Sequence, residues 1–335
     1  MKIERLCLLL ALLILSAFMS PKEVLATPYY EGKVIKLIVG HEPGGGYDRM
    51  ARLLARHLPK HIPGKPTFIV ENMPGAGTII AANHIYSVAK PDGLTLGAID
   101  RGLPIAQLVK GEGVKFDLTK FSWIGSAAVE VIMLCLRSEV PYKTIDDLRK
   151  AKEPIYLGSI GQAGDDYQFP TLLKEFVGLN LKFVIYTSSP SINLAIERKE
   201  VDGRAGSYTT LKPFIDSGTM RPFIRCRISQ EGIENLPVDE DLTTSKIGKV
   251  IMAMRSGTGQ IGRPYVAPPG VPFEVINILR ESFNKVAKDP ELKEESKKIR
   301  MPVEYVPADE CLKVLNFIFT QPDDVAKEFS KYIKF

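Results

Sequence analysis

The sequence predicts an α/β protein made of two domains, and two observations carry this prediction. Short β-branched runs typical of buried strands alternate with segments whose apolar residues recur at helical spacing. The chain of 335 residues also exceeds the roughly 250–300 at which one hydrophobic core stops growing. Because strand–helix–strand order implies parallel strands joined by right-handed crossovers, we expect mostly parallel sheets flanked by helices.

In the first unit, two strands each lead into a glycine-rich loop and then into a helix. Asp48 suits the first turn of the first helix, where a carboxylate meets free N–H groups and the positive end of the helix dipole. In chain order, we predict strands at 34–39, 67–70 and 94–99, glycine-rich loops at 43–46 and 74–77, and helices at 50–58 and 78–89.

The second unit repeats this alternation. Thr144 and Asp147 form a capping box that predicts the start of a short helix. Strands are expected at 131–134, 155–157 and 183–186, a third glycine-rich loop at 158–164, and helices at 169–177 and 192–197. The C-terminal part is predicted to be helical, with an apolar stripe over 275–286, a new helix at Pro290 and another at 307–319.

The composition and the leader pattern limit the class of protein. A net charge of +5 without a long block of like charge does not indicate a nucleic-acid partner. Lys2 and Arg5 precede an apolar run that ends at Met19 and is too short to span a membrane, which is typical of a signal peptide. We expect residues 1–26 to be removed after Ala26 and the protein to be exported; an uncleaved N-terminal anchor is the alternative.

Three widely spaced cysteines remain after the leader. Cys135, Cys226 and Cys311 form no CxxC pair, so they indicate neither a metal site nor a redox motif. We expect buried free thiols. A Cys135–Cys226 disulfide is the alternative.

Motifs for catalysis are absent from the sequence. No GxGxxG, GxxxxGK[ST] or GxSxG pattern follows a strand. His57 and His61 stand four residues apart, but Pro59 and Pro63 indicate a solvated, fraying helix end rather than a metal site. His41 is the one histidine near a glycine-rich loop. The sequence therefore predicts no catalytic residue, no metal site and no cofactor.

The glycine-rich loops indicate an anion-binding cleft. Glycine lets the backbone approach a ligand closely, and the helix that follows presents unpaired N–H donors and a positive dipole end. Such loops lie at the carboxyl ends of strands, where ligands bind in open α/β sheets. One such loop is weak evidence, because tight turns need glycine anyway. Two such loops in the first unit and one in the second together predict a cleft that the two units share.

The order of these motifs resembles the Bug family, the periplasmic solute receptors of tripartite tricarboxylate transporters. The resemblance spans nearly the whole mature chain. It rests on the segments 43–48 with Arg52, 70–77, 91–93, 146–148, 158–164, 201–204, 266–272 and Asp289-Pro290.

The resemblance implies a two-lobed flytrap that closes on a small organic carboxylate and is not an enzyme. Residues 27–126 and 255–335 would form lobe 1, and residues 127–254 would form lobe 2. A monomer in the periplasm of a Gram-negative bacterium, delivering its ligand to membrane permease subunits, is expected. An exported α/β hydrolase and a receptor that feeds a membrane sensor are the alternatives.

Two loops would bind the ligand largely through backbone N–H groups. Arg101 follows the third strand and is a candidate for a bidentate carboxylate contact, with a surface arginine as the alternative. The residues expected to bind are Pro43, Gly44, Gly45, Gly46, Asp48, Arg101, Ser159, Gly161, Gln162, Ala163, Gly164, Asp165, Ser207 and Tyr208.

Asp165 and Asp166 depart from the family pattern, which has small hydroxyl residues there. Two carboxylates beside an anion site would repel a dianion by about 1–4 kcal/mol per close pair, depending on the effective dielectric. One hypothesis is therefore a monocarboxylate, or a ligand with amine or hydroxyl groups that Asp165 binds. The alternative is that both aspartates cap the next helix and face away from the ligand.

Overall fold

The computed structural model describes residues 27–162 and 164–332 and confirms the α/β class. The predicted leader, its cleavage site and Ala163 lie outside these residues. Within the described ranges, no helix is long and apolar enough to cross a membrane. The chain forms two separate sheets, and we call the sheet of six strands with its helices lobe 1 and the sheet of five strands with its helices lobe 2.

Eleven strands make up the two sheets of the described residues. They are β1 (Val34–Val39), β2 (Thr67–Asn72), β3 (Thr95–Ala98), β4 (Ser122–Ser126), β5 (Ile132–Arg137), β6 (Ile155–Ser159), β7 (Leu181–Ile185), β8 (Gly203–Ser207), β9 (Met220–Arg225), β10 (Pro264–Ala267) and β11 (Val306–Pro307). The strand order is β11-β4-β10-β3-β1-β2 in lobe 1 and β7-β6-β8-β5-β9 in lobe 2.

Twelve α-helices pack on these sheets in the described part of the chain. They are α1 (Gly46–His57), α2 (Ile79–Ser87), α3 (Leu103–Leu108), α4 (Ile145–Arg149), α5 (Asp165–Leu172), α6 (Ser189–Glu197), α7 (Tyr208–Asp216), α8 (Lys246–Gln260), α9 (Phe273–Val286), α10 (Pro290–Lys298), α11 (Ala308–Phe319) and α12 (Asp323–Ser330).

Both sheets are mixed rather than mostly parallel. β1 pairs in parallel with β2 and β3, and β6 pairs in parallel with β7 and β8, as the strand–helix–strand order predicts. The pairs that involve β10 and β5 are antiparallel. The reason is topological, since these strands enter their sheets from the other lobe and not through a crossover helix.

Several helices begin earlier than the sequence predicts. α1 begins at Gly46 rather than at residue 50, and α5 begins at Asp165 rather than at residue 169. In both cases a glycine of the loop, Gly45 or Gly164, is itself the residue before the first helical turn. The loops therefore end at helix N-termini. The capping box of Thr144 and Asp147 is confirmed.

The chain passes between the lobes along two adjacent segments. Residues 127–131 follow β4, and residues 259–263 follow the body of α8. The Ala127 N–H donates to the Arg263 carbonyl at 3.0 Å, and the Glu130 N–H donates to the Gly259 carbonyl at 2.8 Å. A side chain at Gly259 would collide with the Glu130 carbonyl oxygen, so glycine permits this close approach.

The described cysteines are buried and free, as predicted. No disulfide joins Cys135 to Cys226, so that alternative is wrong. Burial raises the pKa of the Cys226 thiol to about 11. These thiols are therefore protonated at neutral pH and contribute to packing rather than to redox chemistry.

The expectation of a solvated helix end at His57 and His61 is wrong. His57 Nε2 lies 2.7 Å from the Glu295 carboxylate, and His61 Nε2 lies 2.6 Å from the Asp289 carboxylate. The histidines thus fasten the end of α1 and the turn after it to α10. Their partners are more than 200 residues away in sequence, so local spacing did not indicate them.

We expect Gly259→Ala to destabilise the protein by about 1–3 kcal/mol, because its methyl group must displace the neighbouring crossover segment. Gly257→Ala, in the same helix, is the matched control, since its methyl group would meet Val314 at an ordinary 3.8 Å. That control should gain up to about 1 kcal/mol from helix propensity. Equilibrium denaturation measures both variants, and equal stabilities would contradict the close approach.

Candidate functional site

A small cavity of about 70 Å³ lies between the two lobes. Gly45 and Gly46 line it from lobe 1, at the start of α1. Ile160 and Gly164 line it from lobe 2, on the loop between β6 and α5. The first and third glycine-rich loops therefore face one crevice. The second loop, at 74–77, lines a neighbouring cavity of about 230 Å³ that shares His41 and Ile160 with the first.

Four helices direct their N-termini at this cavity. The first N–H groups of a helix have no partner within the helix, and the helix dipole makes that end positive. Four such ends around one small space make it a site for an anion. The lining residues at these ends are Gly45 and Gly46 of α1, Gly164 and Asp165 of α5, Ser188 and Ser189 of α6, and Ser207 and Thr210 of α7.

Asp48 holds the first loop in shape. Its carboxylate accepts hydrogen bonds from the Gly44 N–H at 2.9 Å, from Arg52 at 3.0 Å and from the Asn72 amide at 2.9 Å. Burial works against the charge, but the hydrogen bonds from Arg52, Gly44 and Asn72 outweigh it, and the pKa of Asp48 lies below its usual range. Gly44 adopts a φ of +84°, which favours glycine at the turn.

Gly46 lets the start of α1 approach charged side chains closely. A β-carbon at this position would lie 2.8 Å from the Arg263 guanidinium and 2.8 Å from the Thr210 hydroxyl. Arg263 is buried and pairs with the equally buried Glu130 at 2.6 Å. Any larger residue at position 46 must therefore disturb this ion pair.

Asp165 crosses the crevice to bind arginines on both sides. One of its oxygens contacts Arg101, which lies between β3 and α3 of lobe 1, and the other contacts Arg255 of α8. The three side chains are almost completely buried. Burial disfavours the Arg101 cation, but the charge of Asp165 outweighs this effect and the pKa of Arg101 is raised. Arg101 therefore binds a carboxylate of the protein itself.

Asp166 also lines the cavity. It accepts hydrogen bonds from the Ser159 hydroxyl and from the Ile160 N–H, both at 3.0 Å, and Arg204 lies 3.8 Å away. Burial raises the pKa of Asp166 to about 6, despite the opposing effects of Arg204 and these hydrogen bonds. The alternative that both aspartates face away from the cavity is wrong.

Sequence reasoning missed several cavity residues. Arg204 projects from β8, where Ser189 and Asn193 of α6 hold its guanidinium at 3.0–3.2 Å. His41 stacks on Tyr47 with ring centroids 4.3 Å apart and lies 3.0 Å from Asp100. Arg204 ends the segment 201–204 that carries part of the family resemblance, but nothing in that segment indicated that its guanidinium would be buried beside the cavity.

Comparisons with known proteins identify the family of this chain. Residues 50–327 match the family of tripartite tricarboxylate transporter receptors. The chain belongs to this receptor family. It is 26% identical over 277 residues to a UPF0065 protein of Cupriavidus necator, covering 81% of this chain and 80% of that one.

Solved structures share the fold of this receptor. The periplasmic binding protein BugD superposes with a TM-score of 0.73 at 20% identity, over 91% of this chain and 100% of that one. Rpa4515 of R. palustris, solved with adipate, superposes with a TM-score of 0.72 at 18% identity, over 91% and 99% of the two chains. These likenesses confirm the two-lobed fold of the receptor.

The receptor places the predicted site residues in two groups. Those that line the cavity are Gly45, Gly46, Arg101, Gly164, Asp165 and Ser207. Those outside the lining are Pro43, Gly44, Asp48, Ser159, Gly161, Gln162 and Tyr208. Several of the second group support the first, since Asp48 binds the Gly44 N–H and Ser159 accepts from the Gly161 N–H at 3.1 Å. Tyr208 instead lies beside Gly232 and Lys212.

A second group of charged residues lies away from the cavity. His57, Asp289 and Glu291 bring ligand-type atoms within 4.8 Å of one another. The Lys60 ammonium lies 2.7 Å from both carboxylates, so a cation of the chain already bridges them. The three-residue group is therefore a structural ion cluster.

We expect Gly46→Ala to cost about 1–3 kcal/mol of stability, because its methyl group displaces Arg263 from the Glu130 pair. Gly45→Ala is the matched control, since its nearest contact would be the Glu42 carbonyl at 3.7 Å. The control should lose less than about 1 kcal/mol, the usual effect at the residue before a helix. Thermal unfolding compares the two, and a Gly46→Ala variant as stable as Gly45→Ala would contradict the close packing.

Proposed function

We propose that this receptor captures a small organic carboxylate between its lobes and presents it to the membrane permease of a tripartite tricarboxylate transporter. The observation that carries this proposal is the convergence of four helix N-termini, from both lobes, on one interlobe cavity. Unpaired N–H groups and positive dipole ends stabilise an anion with little need for specific side chains. Rpa4515, a neighbour with the same fold, was solved with the dicarboxylate adipate, which supports this ligand class.

The arrangement supports binding rather than catalysis. The Ser159 hydroxyl donates to Asp166, and His41 is paired with Asp100. A hydrolase needs a nucleophile next to a base that is oriented by a third group. Among the described residues these contacts give Ser159 no histidine base, so we infer that the receptor is not an enzyme.

We infer that the lobes move about the paired crossover segments. The proposal divides the chain into 27–126 with 255–335 and 127–254, and the crossover segments lie close to these boundaries. A ligand that contacts both lobes favours the closed form, which the permease would then recognise. A periplasmic monomer, exported by a leader that is cleaved after Ala26, completes the proposal. A deletion strain that loses uptake of the ligand would separate transport from a role in sensing.

A panel of short- and medium-chain carboxylates tests the ligand class by thermal shift. A carboxylate that binds should raise the unfolding midpoint, because a ligand at 100 times its dissociation constant adds about 2.7 kcal/mol. The same compound should stabilise Gly257→Ala equally, since that residue lies outside the cavity lining, and should stabilise Gly46→Ala much less. A panel of mono-, di- and aromatic carboxylates that leaves the midpoint unchanged would contradict the proposed function.

A further inference from the structure

The Asp165 carboxylate lies between two buried guanidinium groups. Each of its two oxygens contacts a different guanidinium group, from Arg101 on one side and Arg255 on the other. Arg101 belongs to lobe 1, whereas Asp165 begins α5 in lobe 2. A ligand that bridges the lobes would make this kind of contact, and here a side chain makes it instead.

The two arginines are fixed independently of Asp165. Arg101 donates from Nη1 to the Gly262 carbonyl at 2.9 Å, and its guanidinium lies 5.8 Å from the centre of the Tyr47 ring. Arg255 donates from Nη1 to the Thr258 hydroxyl at 2.8 Å. Their remaining N–H groups therefore form a preorganised pair of donors for one carboxylate.

The charges that line the cavity favour a ligand with a single carboxylate. In its lining, three guanidinium groups, from Arg101, Arg204 and Arg263, face four carboxylates, from Glu42, Asp100, Asp165 and Asp166. The side chains thus bring no excess of positive charge, and only the helix N-termini remain to stabilise a ligand carboxylate. A second ligand carboxylate would stay uncompensated at a buried site, which is strongly unfavourable.

The size of the cavity agrees with this charge balance. One water-sized group needs roughly 10–15 Å³ of such space. A cavity of about 70 Å³ therefore holds only a handful of non-hydrogen atoms while the lobes are in this arrangement. A short carboxylate therefore fits this space better than a long one, and the charge balance favours a monocarboxylate.

We propose that Asp165 occupies a carboxylate position formed by Arg101 and Arg255, and that the ligand of this receptor is consequently a short monocarboxylate. This inference rests on the proposed function and narrows its substrate class. A dicarboxylate would use its second carboxylate for a contact between the lobes. In this chain the Asp165 side chain already makes that contact. Replacing Asp165 by a smaller residue should free the position for an added carboxylate.

The Asp165→Ala variant tests the carboxylate position between Arg101 and Arg255, and the test does not require the natural ligand. This variant leaves Arg101 and Arg255 unpaired, so it should be less stable than the wild type. Acetate, titrated against chloride at constant ionic strength, should raise its unfolding midpoint far more than that of the wild type. Asp165→Asn is the matched control, because it removes the same charge but still fills the space. Equal acetate responses of the two variants would overturn the inference.

Calorimetry on the wild-type protein tests the substrate class separately. Butyrate and succinate, and valerate and glutarate, are matched in chain length and differ in one carboxylate. The wild type should bind the better monocarboxylate at least tenfold more tightly than its matched dicarboxylate, and Asp165→Ala should reduce or reverse this ratio. A wild type that prefers the dicarboxylates would overturn the inference while leaving the proposed function intact. If no carboxylate binds at all, the proposed function fails, whatever acetate does to Asp165→Ala.

Discussion

The convergence of four helix N-termini on one cavity is the constraint on which the site depends. Each carries the positive end of a dipole, and the Ser188 and Ser207 hydroxyls already cap some of the donors of α6 and α7. Because α1 lies in lobe 1 while α5, α6 and α7 lie in lobe 2, no single lobe completes the cavity. If the lobes close, these positive ends move closer together, so an anion between them favours the closed form. Anion binding is thus linked to the arrangement of the two lobes.

The ionic groups around the cavity modify the attraction of the helix N-termini for an anion. Arg263 and Glu130 form a buried pair that joins the two crossover segments, and Asp165 links Arg101 to Arg255. Buried ion pairs give little net stability relative to well-packed apolar residues, but a buried charge without its partner is costly. The geometry of these buried ion pairs is therefore tightly constrained. They set how much charge the cavity still accepts and how large a ligand fits, whereas the helix ends supply the general preference for anions.

The sequence predicted the parts of the fold that depend on local chemistry. Six of the eleven described strands, the glycine-rich loops and the capping box of Thr144 are local patterns, and the loops around Gly45 and Gly164 do line one crevice. The charged network was not predicted, because its partners are far apart in sequence: Asp165 and Arg255 are separated by 90 residues. A lone arginine carries no local sign that it will be buried. For the same reason the sequence predicted that Arg101 contacts a ligand, and did not predict its contact with Asp165.

A crystal structure of the receptor with a carboxylate from the thermal-shift panel tests the central claim most directly. The account predicts that the carboxylate lies between the lobes, with its oxygens about 2.7–3.2 Å from backbone N–H groups at the start of α1 and of at least one of α5, α6 and α7. It also predicts that Asp165 keeps its contacts with Arg101 and Arg255. A carboxylate bound outside the crevice, or held by side chains of one lobe alone, would contradict the account.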